Sequence, residues 1–182
     1  IRDAVETHKP KLFFITSPNN PDGSVLDAKT IDELLELPTL IVLDEAYIEF
    51  AGENLGASLS RIREVPAREN LVVLRTFSKW AGLAGLRVGY GAFPLWLMPT
   101  LWKSKQPYNI NVAASVAAQV SLEHTDELAK TVELLKAERT RLMTELQKIS
   151  YLKPYPTQSN FILCQVDGRD AAELKARLVQ EF

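Results

Sequence analysis

Three short runs of the chain are apolar almost throughout, and they alternate with more polar segments. The runs are Lys11–Thr16, Thr39–Asp44 and Asn70–Arg75. Runs of this length, flanked by turn residues, predict strands that are buried on both faces of a sheet. Apolar residues recur at helical spacing in Asp27–Leu37 and, more weakly, in Ala57–Val65. Strands that alternate with helices in this way predict parallel β/α/β units.

The pattern changes after the third run. A fourth strand is predicted at Arg87–Ala92, after a short helical segment that begins beyond Lys79. The next predicted elements are, in order, the helices Val112–Leu122 and Asp126–Ile149, the strand Ser159–Val166 and the helix Asp170–Glu181. The apolar face predicted for the longest helix consists of Leu128, Val132, Leu135, Leu142, Leu146 and Ile149. We therefore predict one domain over 1–110, followed over 111–182 by a linker helix and the start of a smaller domain.

The composition favours a globular protein that handles small molecules. Of the 182 residues, 46% are hydrophobic and 24% are charged, which is typical of folded domains and not of disordered chains. A net charge of −2 argues against a nucleic-acid-binding or polybasic membrane surface. No apolar stretch approaches the roughly 18 to 20 residues of a membrane span. The first residue is Ile1 and not Met, so we expect the chain to begin partway through a longer protein.

Polar side chains follow each of the three apolar runs. The first run leads into SPNNPDG at 17–23, the second ends in Asp44-Glu45-Ala46-Tyr47, and the third leads into Thr76-Phe77-Ser78-Lys79. Arg87 lies eight residues beyond the lysine. Ligands of open parallel sheets bind beyond the carboxyl ends of the strands. An amide, a carboxylate with a phenol, and a hydroxyl–lysine–arginine group are thus predicted to line one crevice.

Each of these features taken alone has a structural explanation. Asn-Pro-Asp-Gly is a good turn sequence, and Asp44 could cap the segment after the second strand. Tyr47 could be a core residue with a tethered hydroxyl. A single lysine is usually a solvated surface residue, and Arg87 could be an ion-pair partner.

In combination, the segments SPNNPDG, LDEAYIEF and RTFSKWAGLAGLRVGYG resemble the fold-type I pyridoxal-phosphate (PLP) enzymes. Within them the chain is most similar to the histidinol-phosphate aminotransferase group, and the segments YNIN and SNFIL are supporting matches. The resemblance extends from Lys11 to the end of the chain. It implies an α/β fold, with part of the large, mostly parallel three-layer PLP-transferase domain and the start of a smaller α+β domain.

The resemblance also implies how the cofactor ring is held. Lys79 corresponds to the lysine that forms a Schiff base with PLP, and Asp44 to the carboxylate that pairs with the pyridine nitrogen. Tyr47 and Asn20 correspond to the pair that hydrogen-bonds the phenolic oxygen of the ring. Asn20 is preferred over Asn19 because it directly precedes the Pro-x-Gly turn.

The remaining site residues are implied in the same way. Arg87, Thr76 and Ser78 correspond to the phosphate clamp, because a guanidinium and two hydroxyls suit a phosphate dianion. Substrate contacts are implied for Tyr108, Asn109 and Asn160, and no metal site is expected. Asp22 stands where this turn more often carries threonine, and its side chain can still support a turn.

The implied reaction is transamination of histidinol phosphate with 2-oxoglutarate, which yields imidazole acetol phosphate and glutamate in histidine biosynthesis. A homodimer is implied, located in the cytoplasm or, in a plant, in the plastid stroma. The family supplies a phosphate-binding glycine loop, an aromatic residue stacked on the ring and carboxylate-binding arginines from segments that this chain does not contain. We therefore expect the chain alone to be inactive.

Other functions remain open at this point. An aromatic aminotransferase or a phospho-amino-acid decarboxylase would share the same cofactor residues. A hydroxyl–lysine dyad of a hydrolase could use Ser78 or Thr76 with Lys79, but no further hydrolase element is present and Asp44 and Tyr47 would be unexplained. An aminotransferase-like effector domain of a transcription regulator would use the cofactor residues for sensing, and it would need a DNA-binding segment upstream.

Overall fold

The structure, a computed structural model, describes residues 1–181; Phe182, the last residue of the predicted second domain, lies outside the described residues. Its helices are α1 Arg2–His8, α2 Ala28–Leu35, α3 Met98–Ser104, α4 Val112–Glu123, α5 Thr125–Leu146 and α6 Ala171–Glu181. Its strands are β1 Leu12–Thr16, β2 Leu40–Asp44, β3 Leu71–Thr76, β4 Gly89–Ala92, β5 Leu152–Pro154 and β6 Cys164–Val166. Short 3-10 helices occupy Ile48–Phe50, Ile62–Ala67, Ala84–Leu86 and Leu95–Leu97.

A four-stranded sheet in the order β1-β2-β3-β4 forms the centre of the fold. The first three strands are parallel, and β4 returns antiparallel to β3. The predicted α/β fold with a mostly parallel sheet is thereby confirmed. The register places Thr16 beside Asp44, and Asp44 beside Leu74, so the carboxyl ends of β1, β2 and β3 lie at one edge. Strands β5 and β6 form a separate antiparallel pair.

Two apolar clusters form the core of the described residues. One packs α1 and α2 against alternate residues of the strands, and its buried members include Val5, Leu34, Ile41 and Val73. Asp27 begins α2 by accepting a hydrogen bond from the amide of Thr30 at 2.8 Å, as expected of a capping carboxylate.

The second cluster joins the loops beyond β2 and β3 to the later helices. Its buried members include Phe50, Phe77, Trp80, Ala114 and Val132. The alanines of α4 allow this close approach because they add little bulk. The segments that follow the strand ends are therefore packed directly against α4 and α5.

The prediction that all three strands are buried on both faces is wrong for β1. Its side chains alternate between partly buried and exposed, with Leu12 51% and Phe14 66% exposed. Strand β1 pairs with β2 on one side only within the described residues, and no described helix covers this part of its outer face. An apolar run indicates that a strand is buried, but it does not identify which helix or strand buries it.

Two further element predictions are wrong in part. Ala57–Val65 is not an α-helix: turns lead into the 3-10 helix Ile62–Ala67, because Ser60 and Arg61 bind a buried carboxylate instead of continuing a helix. The predicted strand Ser159–Val166 is reduced to β6, because the carbonyl of Ser159 is bound by an arginine of α5.

The predicted apolar face of α5 is only partly used. Val132 is fully buried, whereas Leu135 is 42% exposed and Leu142 is 46% exposed. Ile149 lies just beyond the helix and is 36% exposed. The helix thus packs on the second apolar cluster through Val132, and it leaves Leu135 and Leu142 at the surface of the described residues.

Candidate active site

Backbone hydrogen bonds continue past the strand ends and hold the following loops side by side. The amide of Ser17 donates to the carbonyl of Asp44 at 3.0 Å, and the amide of Glu45 donates to Leu74 at 2.9 Å. Beyond β3, the amide of Phe77 donates to Val88 at 3.2 Å. The three loops that follow β1, β2 and β3 therefore converge at the carboxyl edge of the sheet, as predicted from the strand pattern.

The first two loops meet through Asn20 and Tyr47. The amide nitrogen Nδ2 of Asn20 donates to the Tyr47 hydroxyl at 3.2 Å. The hydroxyl accepts in this bond, so its own proton remains available to a ligand. Asn19 instead accepts from the hydroxyl of Thr16 at 2.5 Å and donates to Asp22 at 2.9 Å, which places it inside the turn.

Asp22 organises that turn. Its carboxylate accepts hydrogen bonds from the amide of Ser24 at 3.0 Å and from the Ser24 hydroxyl at 2.9 Å. The bond from the Ser24 amide, followed by that from Asn19, holds the pKa of the Asp22 carboxyl below its ordinary value. The aspartate can thus support the turn in the way expected from its sequence position.

Lys79 lies across the Tyr47 ring, and Asp44 lies at the end of β2. The ammonium Nζ is 5.3 Å from the centroid of the Tyr47 ring, and the lysine side chain is exposed. Asp44 is half-buried and accepts from the amide of Ala46 at 2.9 Å through Oδ1. This is a local turn bond and not a helix cap, because the 3-10 helix that follows begins only after Tyr47. It uses one oxygen of a carboxylate that can accept several bonds.

The loop after β3 carries the proposed phosphate ligands. The hydroxyl of Thr76 accepts from the amide of Ser78 at 3.0 Å and lies 3.4 Å from the carbonyl of Val88, so it also shapes the loop. Arg87 is exposed, and its Nη1 donates to the carbonyl of Ala84 at 2.9 Å. Its φ of 57° is left-handed, which is uncommon for a residue other than glycine.

The three predicted substrate residues are not brought into this cluster. Tyr108 is 98% exposed, and Asn109 is exposed beside it. Asn160 lines a groove of about 210 Å³ with residues of α5, among them Leu135 and Arg139. Only the neighbour of Asn160, Phe161, reaches the cluster.

A buried ion network behind the site was not predicted from the sequence. Arg75 donates from Nε to Glu45 at 2.9 Å and from Nη1 to Glu49 at 3.0 Å, and all three side chains are at most 9% exposed. Glu45 also accepts from the Ser60 hydroxyl at 2.6 Å and from the amide of Arg61 at 2.8 Å. Charged residues inside apolar runs were the available signal, because buried charges require partners.

Glu49 is the less satisfied carboxyl of the network. Its Oε2 is buried without a hydrogen-bond partner among residues 1–181. Burial raises the pKa of Glu49 to about 7, and the attraction of Arg75 only partly opposes this. One arginine faces two carboxyls here, so a proton on Glu49 balances the charge of the network near neutral pH.

The donor set fits the parts of PLP. Lys79 offers an amine for its aldehyde, Asp44 a carboxylate for its ring nitrogen, and the Asn20–Tyr47 pair hydrogen bonds for its ring oxygen. The guanidinium of Arg87 and the hydroxyl of Ser78 suit its phosphate.

Among the described residues, no cluster of three His, Cys, Asp or Glu side chains is placed to bind a metal. Likewise, no helix within 1–181 has the length and apolarity needed to span a membrane.

Comparison with known proteins agrees with this chemistry. The family model for aminotransferase class I and II matches residues 1–182. The chain is 52% identical over 179 residues to the chloroplastic histidinol-phosphate aminotransferase of Nicotiana tabacum, covering 98% of this chain and 42% of that protein. It therefore spans less than half the length of this relative.

Solved structures of similar proteins share the fold. The histidinol-phosphate aminotransferase of Clostridium acetobutylicum superposes with a TM-score of 0.89 at 28% identity, over 98% of this chain and 55% of that one. The Sinorhizobium meliloti histidinol-phosphate aminotransferase, solved in complex with pyridoxal-5'-phosphate, gives 0.84 at 30% identity, over 98% and 48%. With a family match along its whole length, a shared fold and the strand-end cluster of Asn20, Tyr47 and Lys79, the chain belongs to the aminotransferase class I and II family.

Proposed function

We propose that the full-length protein is a PLP-dependent aminotransferase that converts histidinol phosphate and 2-oxoglutarate to imidazole acetol phosphate and glutamate. The observation that carries the proposal is the contact of Lys79 with the Tyr47 ring beside the Asn20–Tyr47 hydrogen bond. The names of the similar proteins support the substrate assignment. The aminotransferase activity requires an amino donor, a keto acceptor and the cofactor, all of them small molecules.

Bound PLP would supply an electron-withdrawing ring that stabilises negative charge on the substrate carbon. Asp44 would keep the ring nitrogen protonated through its own negative charge. Tyr47 would donate its free proton to the ring oxygen, while the side-chain amide of Asn20 donates to the phenol oxygen. These three side chains come from two neighbouring loops, so the sheet edge sets their relative positions.

Lys79 would act at the substrate carbon. Its amine must lose a proton before it can attack an aldehyde or accept a proton from the substrate. As a free amine, Lys79 would take up and move the proton of the substrate α carbon, and bound PLP would supply the electron sink for that transfer. Its place across the Tyr47 ring keeps it close to the phenol.

Arg87, Ser78 and Thr76 would hold the cofactor phosphate. A guanidinium can donate two parallel hydrogen bonds to a phosphate, and the bond from Arg87 to Ala84 uses only part of its donor capacity. The Thr76 hydroxyl already shapes the loop, so its contribution to the phosphate would be the smallest of the three.

Several wider features belong to the same proposal. Residues 1–110 would form part of the large cofactor-binding domain, and 111–182 the linker helix and the start of the small domain. Tyr108, Asn109 and Asn160 would contact substrate in the complete protein, which would be a homodimer. A chloroplast location would apply in a plant, in keeping with the name of the Nicotiana relative, and a cytoplasmic one elsewhere.

The cofactor assignment is tested by chemical trapping in the full-length protein. Incubation with PLP followed by borohydride should fix the cofactor covalently to the peptide that contains Lys79. Lys79→Ala should bind PLP reversibly and give no fixed adduct. Attachment to any other lysine would contradict the assignment.

The substrate assignment is tested by comparing kcat/KM for histidinol phosphate, histidinol, phenylalanine and phosphothreonine. A site built around the substrate phosphate should discriminate against histidinol by roughly 10⁴-fold, because its cationic donors would be left unpaired. Preference for phenylalanine would identify an aromatic aminotransferase. Release of carbon dioxide from phosphothreonine would identify a decarboxylase.

A further inference from the structure

The Tyr47 ring is contacted by a residue that lies far away in the sequence. Phe161 and Tyr47 form an edge-to-face pair, with ring centroids 5.1 Å apart and planes at 89°. This is a favoured aromatic geometry, and it restricts rotation of both rings. Tyr47 is half-buried. Besides the contact with Phe161, its side chain accepts a hydrogen bond from Asn20 and lies against Lys79. Of these three neighbours, only Phe161 restrains the tyrosine ring through an apolar contact.

Phe161 belongs to a segment, residues 157–161, that also rests on the turn carrying Asn20. The amide of Gln158 donates to the carbonyl of Gly23 at 2.8 Å. A side chain at Gly23 would not fit, because its Cβ would lie 1.8 Å from the Thr157 hydroxyl, and its φ of 70° also favours glycine. The close approach of 157–161 to this turn therefore depends on the absence of a side chain at Gly23.

Arg139 of α5 links the same segment to the loop of Tyr47 through two hydrogen bonds. Its Nη1 donates to the carbonyl of Ser159 at 2.8 Å and to the carbonyl of Phe50 at 3.1 Å. Phe50 ends the 3-10 helix that begins directly after Tyr47. Residues 157–161 are thus tied both to the turn of Asn20 and to the loop of Tyr47.

We propose that Phe161 is a positioning residue, which through its segment holds the Tyr47 phenol at the place where it meets the cofactor ring oxygen. This inference rests on the proposed function, because the ligand of Tyr47 is the cofactor assigned there. Phe161 acts through Tyr47 and need not touch substrate or cofactor. The segment that carries it would thereby couple the start of the small domain to the chemistry of the large one.

The position of the phenol has a spectroscopic consequence. A hydrogen bond donated to the ring oxygen favours its deprotonated form, so a weaker bond raises the pH at which the absorbance of bound PLP changes. In full-length holoenzyme, Phe161→Leu should raise this midpoint by about half a pH unit. Tyr47→Phe, which removes the donor, should raise it further, and Phe161→Tyr, which keeps a ring, should leave it near the wild-type value.

The decisive comparison adds Phe161→Leu to Tyr47→Phe. If Phe161 acts through the phenol, the double variant should have the same midpoint as Tyr47→Phe alone, because the donor that Phe161 positions is then absent. Phe13→Leu is a matched control, since Phe13 is a partly buried phenylalanine that packs on the apolar cluster of α1 and α2, away from Tyr47. It should lower thermal stability without moving the midpoint.

Two outcomes would overturn the inference. One is a wild-type midpoint in Phe161→Leu, and the other is an equal shift in the presence and absence of the Tyr47 hydroxyl. Failure of the wild-type protein to bind PLP at all would instead remove the proposed function and this inference with it. A Phe161→Leu protein that binds PLP at Lys79 with an unchanged midpoint would leave the function standing and refute the positioning role.

Discussion

Arg75 donates to Glu45 at 2.9 Å, and this buried bond joins the end of β3 to the end of β2. Glu45 directly follows Asp44, and Arg75 directly precedes Thr76, so the ion pair lies one residue away from two proposed cofactor ligands. A buried pair of this kind contributes little net stability, but breaking it is costly. Its main consequence here is geometric, because it fixes the separation of two loops that would act on the same ligand under the proposed function.

The first prediction concerns Arg75. Arg75→Met leaves the buried carboxyls of Glu45 and Glu49 without their cation, so we expect destabilisation of about 3 to 5 kcal/mol in full-length apoprotein. Urea unfolding would measure it. Arg141→Met removes the exposed Arg141–Glu138 pair and should cost less than about 0.5 kcal/mol. Equal stability of the two variants would show that losing Arg75 from the buried network costs no more than losing an exposed ion pair.

The second prediction concerns pH. The pKa of Glu49 is about 7 in the folded protein and 4.5 in its ordinary state, so the folded form binds the extra proton between these values. Stability contributed by the protonated carboxyl is therefore present below pH 4.5 and is lost as pH rises towards 7. The loss amounts to about 3 kcal/mol at most.

Glu49→Gln should remove this dependence, because an amide does not titrate. Melting temperatures of wild-type and Glu49→Gln apoprotein, measured from about pH 5 to pH 8, should diverge with the wild type falling faster. Glu138→Gln, at an exposed carboxyl, should follow the wild type. Parallel curves for the wild type and Glu49→Gln would refute a titrating Glu49.

The third prediction concerns Asp44. Asp44→Asn keeps the shape and the turn bond from the Ala46 amide but removes the negative charge. The transamination rate should fall roughly 100- to 1,000-fold, which corresponds to about 3 kcal/mol or more of lost electrostatic stabilisation, while PLP still binds. Single-turnover kinetics of the holoenzyme would measure it. Near-normal turnover of the Asp44→Asn enzyme would show that Asp44 only stabilises its turn through the bond with Ala46.

The fourth prediction concerns Arg87. Arg87→Lys keeps the charge but loses the planar fork, so PLP affinity should fall about tenfold or more. Added PLP should restore much of the activity, because the residue acts in binding. Fluorescence titration of apoprotein with PLP would give the dissociation constant. An unchanged constant would make Arg87 a structural residue of its loop.

The sequence alone predicts much of the fold, because hydrophobic periodicity reports local structure. Strands β2 and β3 and helices α2 and α4 lie where the pattern predicts them, with shifts of a few residues at their ends. The loops at the carboxyl edge follow from strand direction alone. The choice of Asn20 over Asn19 as a cofactor ligand rests on the position of the proline, and it stays a prediction.

What the sequence does not predict depends on partners that are distant along the chain. The exposure of Phe14, the contact of Phe161 with Tyr47 and the shared arginine of Glu45 and Glu49 are all tertiary relationships. No local period encodes them. The irregular stretch before β6 was missed for the same reason, since its carbonyl at Ser159 is bound by α5.

The strand order β1-β2-β3-β4 has a consequence for how the chain is made. Each of β2, β3 and β4 pairs with the strand that precedes it in the chain, so the sheet can assemble in the order of synthesis as the chain leaves the ribosome. The contacts of residues 157–161 with Gly23 and Tyr47 must wait until α5 has been synthesised. We expect proteolysis of stalled nascent chains to reveal a protected sheet first. The newly made protein would thus acquire its scaffold before it acquires an ordered Tyr47.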